Sequence, residues 1–500
     1  MNAAFLYKAS KDFHTCIIQI VLTIFLLFSV RVTNAQRSKD SRPNIVLIVS
    51  DDHGREAVGC YGNPVVKTPN IDRIAAEGTR FSNAFCTVAS CSPSRSVILT
   101  GEQSHTNGMY GLEHQQHHFS SFDTIQSLPV LLQKAGYRTA RIGKYHVAPE
   151  QVYHFQKVLQ EGGINNPASI GRSPVEMADL CKAFINDTSS QPFFLYFATD
   201  DPHRSNTVLP DGLPFFDGSK PNVFGNRPEG YPQITKNVFA PEDVIVPSYL
   251  PANKATRAEL AEYYQAINRL DQGIGRLLQY LKESGKYDNT LIVYLSDNGA
   301  PFPGSKTTLY EAGMRLPLIV KIPKPSRTNF VQDAMVSWVD ITPTLLDFAD
   351  ALPGNPQLQG RSFKNIMEQE NVKGWDEVYA SHTFHEIMMY YPMRVLRERR
   401  FKLIYNIAYE LPFPQSLDLH QSYSWQSIIQ NKAKYLGRHS LQAYLNRPKF
   451  ELYDIVADPD ELHNLASDPK YSKELSRMVD KLKTWQKNTF DMWISKWDFE

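Results

Sequence analysis

Continuous apolar runs alternate along the chain with amphipathic segments. The first run, NIVLIVS at 44–50, is rich in β-branched residues and ends abruptly at two carboxylates. Such a run is typical of a strand buried on both faces of a parallel sheet. The segment TPNIDRIAAEG at 68–78 supplies a Thr cap, a Pro in the first turn and a closing Gly, which predicts a helix. A strand followed by a helix indicates an α/β layout.

The same order of elements recurs further along the chain. We predict a helix and strand in SLPVLLQKAGYRTARIGKYH, a strand in PFFLYFATDDPH, a long helix in RAELAEYYQAINRLDQGIGRLLQYLKESG and a strand in TLIVYLSDNG. Each of these strands leads into polar residues at its carboxyl end. In open α/β sheets, ligands bind at that edge.

The pattern changes near residue 375 to shorter alternating runs such as RFKLIYNI and FELYDIV, followed by a closing helix. This change predicts a larger domain at 40–375 and a smaller antiparallel domain at 376–500. A stretch rich in Pro and Gly at 206–251 has little periodicity, and we interpret it as a loop that borders the site.

Composition and charge narrow the possible functions. The 500 residues are 42% hydrophobic, enough for a large core. Lys plus Arg total 53 against 52 Asp plus Glu, so no global field favours nucleic acid or an acidic membrane surface. Residues 1–35 have basic residues, an apolar run and small residues before Ala35, the pattern of a signal peptide. The apolar run is shorter than a membrane anchor needs, so we expect export and no membrane contact after cleavage.

Few cysteines remain after the predicted cleavage: Cys60, Cys86, Cys91 and Cys181. They are too few for a disulfide framework, although one bridge among Cys60, Cys86 and Cys181 is possible. Asn186 begins an Asn-Asp-Thr sequon and would carry an N-glycan only in a eukaryotic secretory pathway.

Two polar clusters are candidates for chemistry. Asp51 and Asp52 follow one strand, and Asp297 and Asn298 follow another. Together these oxygen donors suit Ca²⁺ or Mg²⁺, and the alternative is ordinary turn and capping chemistry.

The second cluster is CSPSR at 91–95. Ser92 is expected to cap a helix with Pro93 in its first turn, so that Cys91 lies at the helix N-terminus with Arg95 one turn below. That environment favours an anion or a cysteine nucleophile, and a buried structural cysteine is the alternative.

At these residues the chain resembles type I sulfatases. CSPSRSVILTG resembles their first signature, Cys-x-Pro-Ser-Arg followed by Leu-Thr-Gly, and GYRTARIGKYH resembles their second. The likeness continues through KTTLYEAGMRLP and ELYDIVADPDELHNLA, so it covers nearly the whole mature chain. It implies an alkaline phosphatase-like fold: a large mixed sheet sandwiched by helices, with a smaller antiparallel α+β domain that contributes to the substrate pocket.

The resemblance also implies roles for single residues. Cys91 would be oxidised to Cα-formylglycine (3-oxoalanine) by a formylglycine-generating enzyme and would also contact the cation, with Ca²⁺ favoured and Mg²⁺ possible. The implied cation ligands are Asp51, Asp52, Asp297 and Asn298. Among the implied catalytic residues, Arg95 would polarise the aldehyde hydrate and His203 would protonate the leaving group. Lys144, His146 and Lys306 would neutralise sulfate oxygens. His146 would also act as a base.

Further stretches resemble the sulfamidase branch of the family, which removes N-linked sulfate from terminal N-sulfoglucosamine of heparan sulfate. They are NGMYGLEHQQHHFSSFD, FHEIMMYYPMR and RRFKLIYNIAYELPFP. His385 and Glu386 would then bind the sugar from the smaller domain, the alternative being that both are exposed surface residues. The alternative functions are an O-sulfatase of sulfated glycans, a phosphatase or phosphonate hydrolase of the same superfamily, and a binding protein. A homodimer is possible, and the compartment would be lysosomal in a eukaryote and periplasmic or secreted in a bacterium.

Overall fold

An eight-stranded mixed sheet lies at the centre of the computed structural model, which describes residues 40–163, 166, 168–205, 223–353 and 358–498. Its strands are β1 Asn44–Ser50, β2 Thr79–Phe85, β3 Arg138–Gly143, β4 Lys157–Glu161, β5 Phe193–Ala198, β6 Thr290–Ser296, β7 Leu318–Lys321 and β8 Phe330–Ser337. Their order is β4-β3-β5-β1-β6-β7-β2-β8. Only β7 runs antiparallel to its neighbours. The large mixed sheet is therefore confirmed.

Helices cover both faces of this sheet. Alternate residues of β1 point to opposite sides, so that Leu47 joins a core with the helix Cys91–Thr100 while Ile48 joins a core with the helix Lys254–Glu283. This two-sided burial explains why β1 is apolar at every position. The described α-helices are Pro69–Ala76, Cys91–Thr100, Ser104–Asn107, Leu128–Lys134, Pro174–Asn186, Lys254–Glu283, Glu311–Met314, Ile341–Phe348, Leu417–His420, Tyr423–Gln430, Leu441–Leu445 and Ser472–Asn488.

A four-stranded antiparallel sheet forms from the C-terminal part of the chain. Its strands are β9 Glu377–His382, β10 Met393–Glu398, β11 Phe401–Asn406 and β14 Phe450–Asp454, in the order β14-β11-β10-β9. A separate hairpin pairs β12 Tyr435–Leu436 with β13 His439–Ser440. The helix Ser472–Asn488 packs Met478 and Leu482 against Leu396 and Leu403 of the four-stranded sheet. The smaller antiparallel α+β region is thus confirmed.

Both sheets lie within one compact unit, Arg42–Glu500. The last strand of the large sheet ends at Ser337 and the first strand of the small sheet begins at Glu377, on either side of the change of pattern near residue 375. The division into domains at 40–375 and 376–500 stays a prediction.

Several predictions concern segments outside the regular elements. The predicted signal peptide, 1–35, lies outside the described residues, and so does 206–222 of the predicted loop. The rest of that loop, 223–251, contains no helix or strand. Among the described residues, no helix combines the length and apolarity needed to cross a membrane. The possible disulfide is absent from the part of the chain that is described, because Cys60, Cys86, Cys91 and Cys181 are all free thiols.

Candidate active site

The strand ends bring the predicted cation ligands together. Asp51 and Asp52 directly follow β1, and Asp297 and Asn298 directly follow its parallel neighbour β6. The backbone N–H of Asp52 donates to Asp297 Oδ1 over 3.0 Å, which fixes the two strand ends against each other. All four side chains are fully buried.

The CSPSR segment begins a helix two residues earlier than predicted. The helix Cys91–Thr100 has Ser90 at its N-cap, so the prediction that Ser92 caps it is wrong. Pro93 still falls in the first turn, where its missing N–H would have no intrahelical partner in any case. Cys91 and Arg95 lie one turn apart on this helix, as expected from their spacing.

Arg95 links this helix to the acidic residues that follow β1 and β6. Its Nε donates to Asp297 Oδ2 over 2.8 Å, and its Nη2 lies 3.5 Å from Asp51 Oδ1. Burial by itself would lower the pKa of Arg95, but Asp297 and other neighbours, among them Asp51, together outweigh burial and raise that pKa well above its ordinary value. The guanidinium is therefore a permanent positive charge inside the site.

Two lysines bring further positive charge. Lys144 follows β3, and its Nζ lies 2.5 Å from Asp51 Oδ2. Lys306 Nζ lies 2.9 Å from Asp52 Oδ2 and 3.0 Å from His203 Nε2. Both lysines are almost completely buried.

The pKa values of the three carboxyl groups are shifted in different directions. Burial raises the pKa of Asp52 to about 7 against the attraction of Lys306, and burial raises that of Asp297 to about 6. For Asp51, the opposing effects of Lys144 and then His203 outweigh burial and hold the pKa well below its ordinary value. Crowding of three acids therefore disfavours their full ionisation unless further positive charge is added.

Cys91 lies beside these groups at the helix start. Its Sγ is 3.8 Å from Asp52 Oδ1 and 3.7 Å from Asn298 Nδ2. Burial raises the pKa of the Cys91 thiol well above its ordinary value, against the attraction of Lys144 and Lys306. An unmodified Cys91 is therefore a protonated thiol at neutral pH, which is a poor nucleophile.

The two predicted catalytic histidines are held by hydrogen bonds through different ring nitrogens. His203 Nδ1 donates to the backbone oxygen of Arg204 over 2.6 Å, so Nε2 is the nitrogen that faces Lys306. His146 Nε2 shares a hydrogen bond of 2.7 Å with His114 Nδ1, and its own Nδ1 is buried without a partner. Burial lowers the pKa of both rings, with Lys306 adding to the effect at His203 and Lys144 at His146.

A cavity of about 260 Å³ opens over Cys91. Residues from the catalytic segments line it together with His385 and Glu386, which precede β10. The interpretation of these two as exposed surface residues is wrong. His385 is buried and its Nδ1 lies 2.8 Å from Ser90 Oγ, while the half-buried Glu386 accepts from the backbone N–H of Leu417 over 3.0 Å.

Among the cavity residues that the sequence analysis missed are two that contact predicted catalytic side chains. Asp418 on the helix Leu417–His420 lies with its Oδ2 2.8 Å from Lys306 Nζ, and His114 contacts His146. Asp418 lies outside every stretch that resembles the family, and His114 lies in NGMYGLEHQQHHFSSFD without a role assigned to it, so their contacts are known only from the folded structure. The predicted glycosylation residue, Asn186, is exposed at the end of the helix Pro174–Asn186, away from this cavity.

Comparison with known proteins identifies related sequences over most of the chain. The sulfatase family model matches residues 43–351, and a model described as "N-sulphoglucosamine sulphohydrolase, C-terminal" matches residues 304–422. N-sulphoglucosamine sulphohydrolase of Homo sapiens is 40% identical over 470 residues, covering 91% of this chain and 92% of the relative. N-acetylglucosamine-6-O-sulfatase of Bacteroides thetaiotaomicron is 28% identical over 550 residues, covering 94% and 91%.

Solved structures share the fold. A protein in complex with its substrate D-glucosamine-2-N,6-O-disulfate gives a TM-score of 0.63 at 24% identity, covering 90% of this chain and 99% of that one. The phosphonate monoester hydrolase of Agrobacterium radiobacter gives 0.63 at 18% identity, covering 90% and 96%. Because the family model spans more than half of the chain and the human relative is 40% identical across 91% of it, the chain belongs to the sulfatase family.

Proposed function

We propose that this chain is a sulfohydrolase that removes N-linked sulfate from terminal N-sulfoglucosamine of heparan sulfate or heparin. One observation carries the proposal. The C-terminal family model at 304–422 spans Lys306, His385, Glu386 and Asp418, which line the cavity over Cys91. Likeness to N-sulphoglucosamine sulphohydrolase therefore extends to the residues that would contact the sugar, beyond the residues that would handle sulfate.

The strand-end acids fit a divalent cation. Asp51 Oδ1 and Asn298 Oδ1 are buried atoms with no hydrogen-bond partner, and a donor set made only of oxygens suits Ca²⁺ or Mg²⁺. We assign Asp51, Asp52, Asp297 and Asn298 as the ligands of one Ca²⁺, with residue 91 beside them. When bound, the cation neutralises the crowded carboxylates and acts as a Lewis acid towards oxygen.

Cys91 is the proposed modification site. Its thiol is buried and protonated, and its Sγ lies beside Asp52 and Asn298 of the proposed cation site. Oxidation to 3-oxoalanine gives an aldehyde whose hydrate supplies an oxygen nucleophile. The second hydroxyl of the hydrate provides an internal route for releasing sulfate, which a cysteine or serine ester lacks. The formylglycine-generating enzyme is thus an implied partner during biosynthesis.

The remaining residues bind the anion and move protons. Lys144, Lys306 and His146 line the cavity with Cys91, so we assign them to the sulfate oxygens. Arg95, held by Asp297, adds positive potential below residue 91. His203 is fixed through Nδ1. We propose that the bound sulfate anion favours its protonated form, which passes the proton on Nε2 to the leaving nitrogen. His146 is the proposed base for the release step.

An O-sulfatase is the second candidate, because the Bacteroides relative is an N-acetylglucosamine-6-O-sulfatase. Likeness to the phosphonate monoester hydrolase concerns the fold alone. The four strand-end ligands provide for one cation, whereas phosphatases of the superfamily typically use two metals.

The proposal extends to maturation and location. We infer that residues 1–35 direct export, to a lysosome in a eukaryote and to the periplasm or exterior in a bacterium, with Asn186 as a glycan acceptor in the first case. A sulfated glycosaminoglycan is the proposed partner, and we propose a homodimer, which the molecular mass of the protein in solution tests.

The experiment compares two substrates with enzyme that carries the aldehyde, as established by mass spectrometry of the peptide across residue 91. We expect sulfate release from N-sulfoglucosamine and little from glucosamine-6-O-sulfate. Release only from the O-sulfate would reject the sulfamidase proposal and favour the O-sulfatase. Cys91→Ser should abolish turnover in this assay, while Cys60→Ser, at a half-buried free thiol outside the cavity, serves as the matched control.

A further inference from the structure

A carboxylate faces the anion-binding cavity from the C-terminal part of the chain. Asp418 has a side chain only 10% exposed, and its Oδ2 lies 2.8 Å from Lys306 Nζ and 3.9 Å from His203 Nε2. A carboxylate repels a sulfate group at short range. Its position beside the proposed sulfate-binding lysine therefore requires a role other than sulfate binding.

The orientation of Asp418 is fixed by its own segment. Its Oδ1 accepts hydrogen bonds from Ser416 Oγ at 2.5 Å and from the backbone N–H of Leu419 at 2.9 Å. Glu386 holds the same segment by accepting from the backbone N–H of Leu417 at 3.0 Å. With Oδ1 satisfied and the segment held, Oδ2 remains as the atom directed towards Lys306 and His203.

The geometry relates Asp418 to the leaving group. A proton passes from His203 only to an atom within about 3 Å of Nε2. Because Asp418 Oδ2 is 3.9 Å from that nitrogen, an atom can lie within hydrogen-bond distance of both groups. Lys306 Nζ takes one such position, at 2.8 Å and 3.0 Å, and we place the ligand atom at another. The atom that separates from sulfur is thus within reach of Asp418.

We propose that Asp418 recognises the amino nitrogen of the sugar and thereby sets the preference for N-linked over O-linked sulfate; this inference rests on the proposed function. As sulfur bonds to the incoming oxygen, the S–N bond breaks and its electron pair stays on nitrogen. The nitrogen takes the Nε2 proton of the protonated, imidazolium form of His203, which leaves that ring neutral, and a further proton from water gives an ammonium ion at neutral pH. Asp418 forms a charge-assisted hydrogen bond with that ammonium, whereas an oxygen leaving group becomes a neutral hydroxyl and gains less.

The first test measures binding of the product by calorimetry. The probes are glucosamine and glucose, which differ only in that an amino group of glucosamine is a hydroxyl group in glucose. The unsubstituted enzyme should bind glucosamine at least tenfold more tightly than glucose. Asp418→Asn should weaken glucosamine binding about tenfold or more and change glucose binding less than threefold. Equal weakening of both probes, or no weakening, would overturn the proposal, because a carboxylate that only positions Lys306 has no reason to distinguish the two sugars.

The second test measures kcat/KM of the aldehyde-bearing enzyme for N-sulfoglucosamine and for the O-sulfate 4-nitrophenyl sulfate. Asp418→Asn should lower the ratio of the first to the second at least tenfold, and an unchanged ratio contradicts the inference. Asp418→Ser removes the charge but keeps a short polar side chain, so it replaces Asp418→Asn if that variant does not fold. Asp333→Asn, at an exposed carboxylate outside the cavity, is the control. An unsubstituted enzyme inactive on N-sulfoglucosamine would instead reject the proposed function itself.

Discussion

Asp52 lies close to a lysine, a histidine and the cysteine of the site. Its Oδ2 accepts from Lys306 at 2.9 Å and lies 3.6 Å from His203 Nε2, and its Oδ1 lies 3.8 Å from Cys91 Sγ. Burial raises the pKa of this carboxyl group to about 7. A cation at the strand ends would stabilise the ionised form of Asp52. We therefore expect the loss of Asp52 to weaken metal binding directly.

We therefore expect Asp52→Ala to lose the bound cation and most of its activity. Removal of a metal ligand costs several kcal/mol of transition-state stabilisation, so the rate should fall on the order of a thousandfold. Metal content by atomic spectroscopy and a Ca²⁺ titration by calorimetry measure the loss directly. Asp288→Asn, at an exposed carboxylate, should retain both. Unchanged metal content and full activity in Asp52→Ala would contradict the ligand assignment.

At the scale of elements, the end of β3 decides where two catalytic residues lie. Gly143 closes the strand with φ 80°, in the left-handed region that favours glycine. A Cβ there would lie 2.0 Å from the backbone oxygen of Ala198 and 2.6 Å from Met177 Cε. The next backbone N–H, that of Lys144, donates to the same Ala198 oxygen over 2.7 Å. This close approach directs the chain that carries Lys144 and His146.

Gly143→Ala should consequently reduce both stability and activity. The added methyl group collides with backbone as well as imposing a left-handed conformation, so we expect a loss of about 2–4 kcal/mol in the free energy of unfolding. Urea denaturation and the sulfate-release assay measure the two effects. Gly62→Ala is the matched control, since Gly62 has φ 108° but no atom within 4 Å of an added Cβ. Equal losses in the two variants would show that backbone strain alone matters.

Comparison of the elements also shows how much of the fold and of the site the sequence alone predicts. Apolar periodicity and caps predict β1, β6 and the helix Lys254–Glu283, because local patterning dominates where an element is long and regular. The convergence of Asp51 and Asp297 follows from the parallel sheet rule. The burial of His385 and the presence of Asp418 do not follow, since both depend on how irregular segments pack over the cavity. Nothing local marks β7 as the antiparallel strand either.

At the scale of the whole molecule, buried polar contacts join segments far apart in sequence. His105, on the helix Ser104–Asn107, has Nδ1 3.1 Å from Ser381 Oγ in β9 and Nε2 2.9 Å from Thr489 Oγ1 after the last long helix. Its ring packs edge-on against Trp485 at 5.1 Å. One neutral imidazole thus links the large-sheet region to two C-terminal elements, and its protonation state matters for global stability.

This link should make the fold sensitive to acid. Burial lowers the pKa of His105 to about 3, with Asp491 and Arg394 as the charged groups that act on the ring in opposite directions. An unfolded chain takes up a proton at this histidine near pH 6.5, whereas the folded chain does not until about pH 3. The contribution of His105 is therefore complete above pH 6.5 and is lost as the pH falls below it, by about 1.4 kcal/mol per pH unit.

The measurement is the free energy of unfolding by urea between pH 7.5 and pH 4.5, in the unsubstituted protein and in His105→Gln. Glutamine offers an amide donor and acceptor to the two hydroxyls but does not titrate, so this variant should lose stability less steeply on the acid side. Other buried histidines, such as His382, whose pKa burial lowers to about 3, titrate in both proteins and cancel in the difference. Above pH 7 the two curves should run parallel. Curves that also remain parallel down to pH 4.5 would mean that His105 takes up its proton in the folded state, and the buried link between the two sheets would then tolerate a charge.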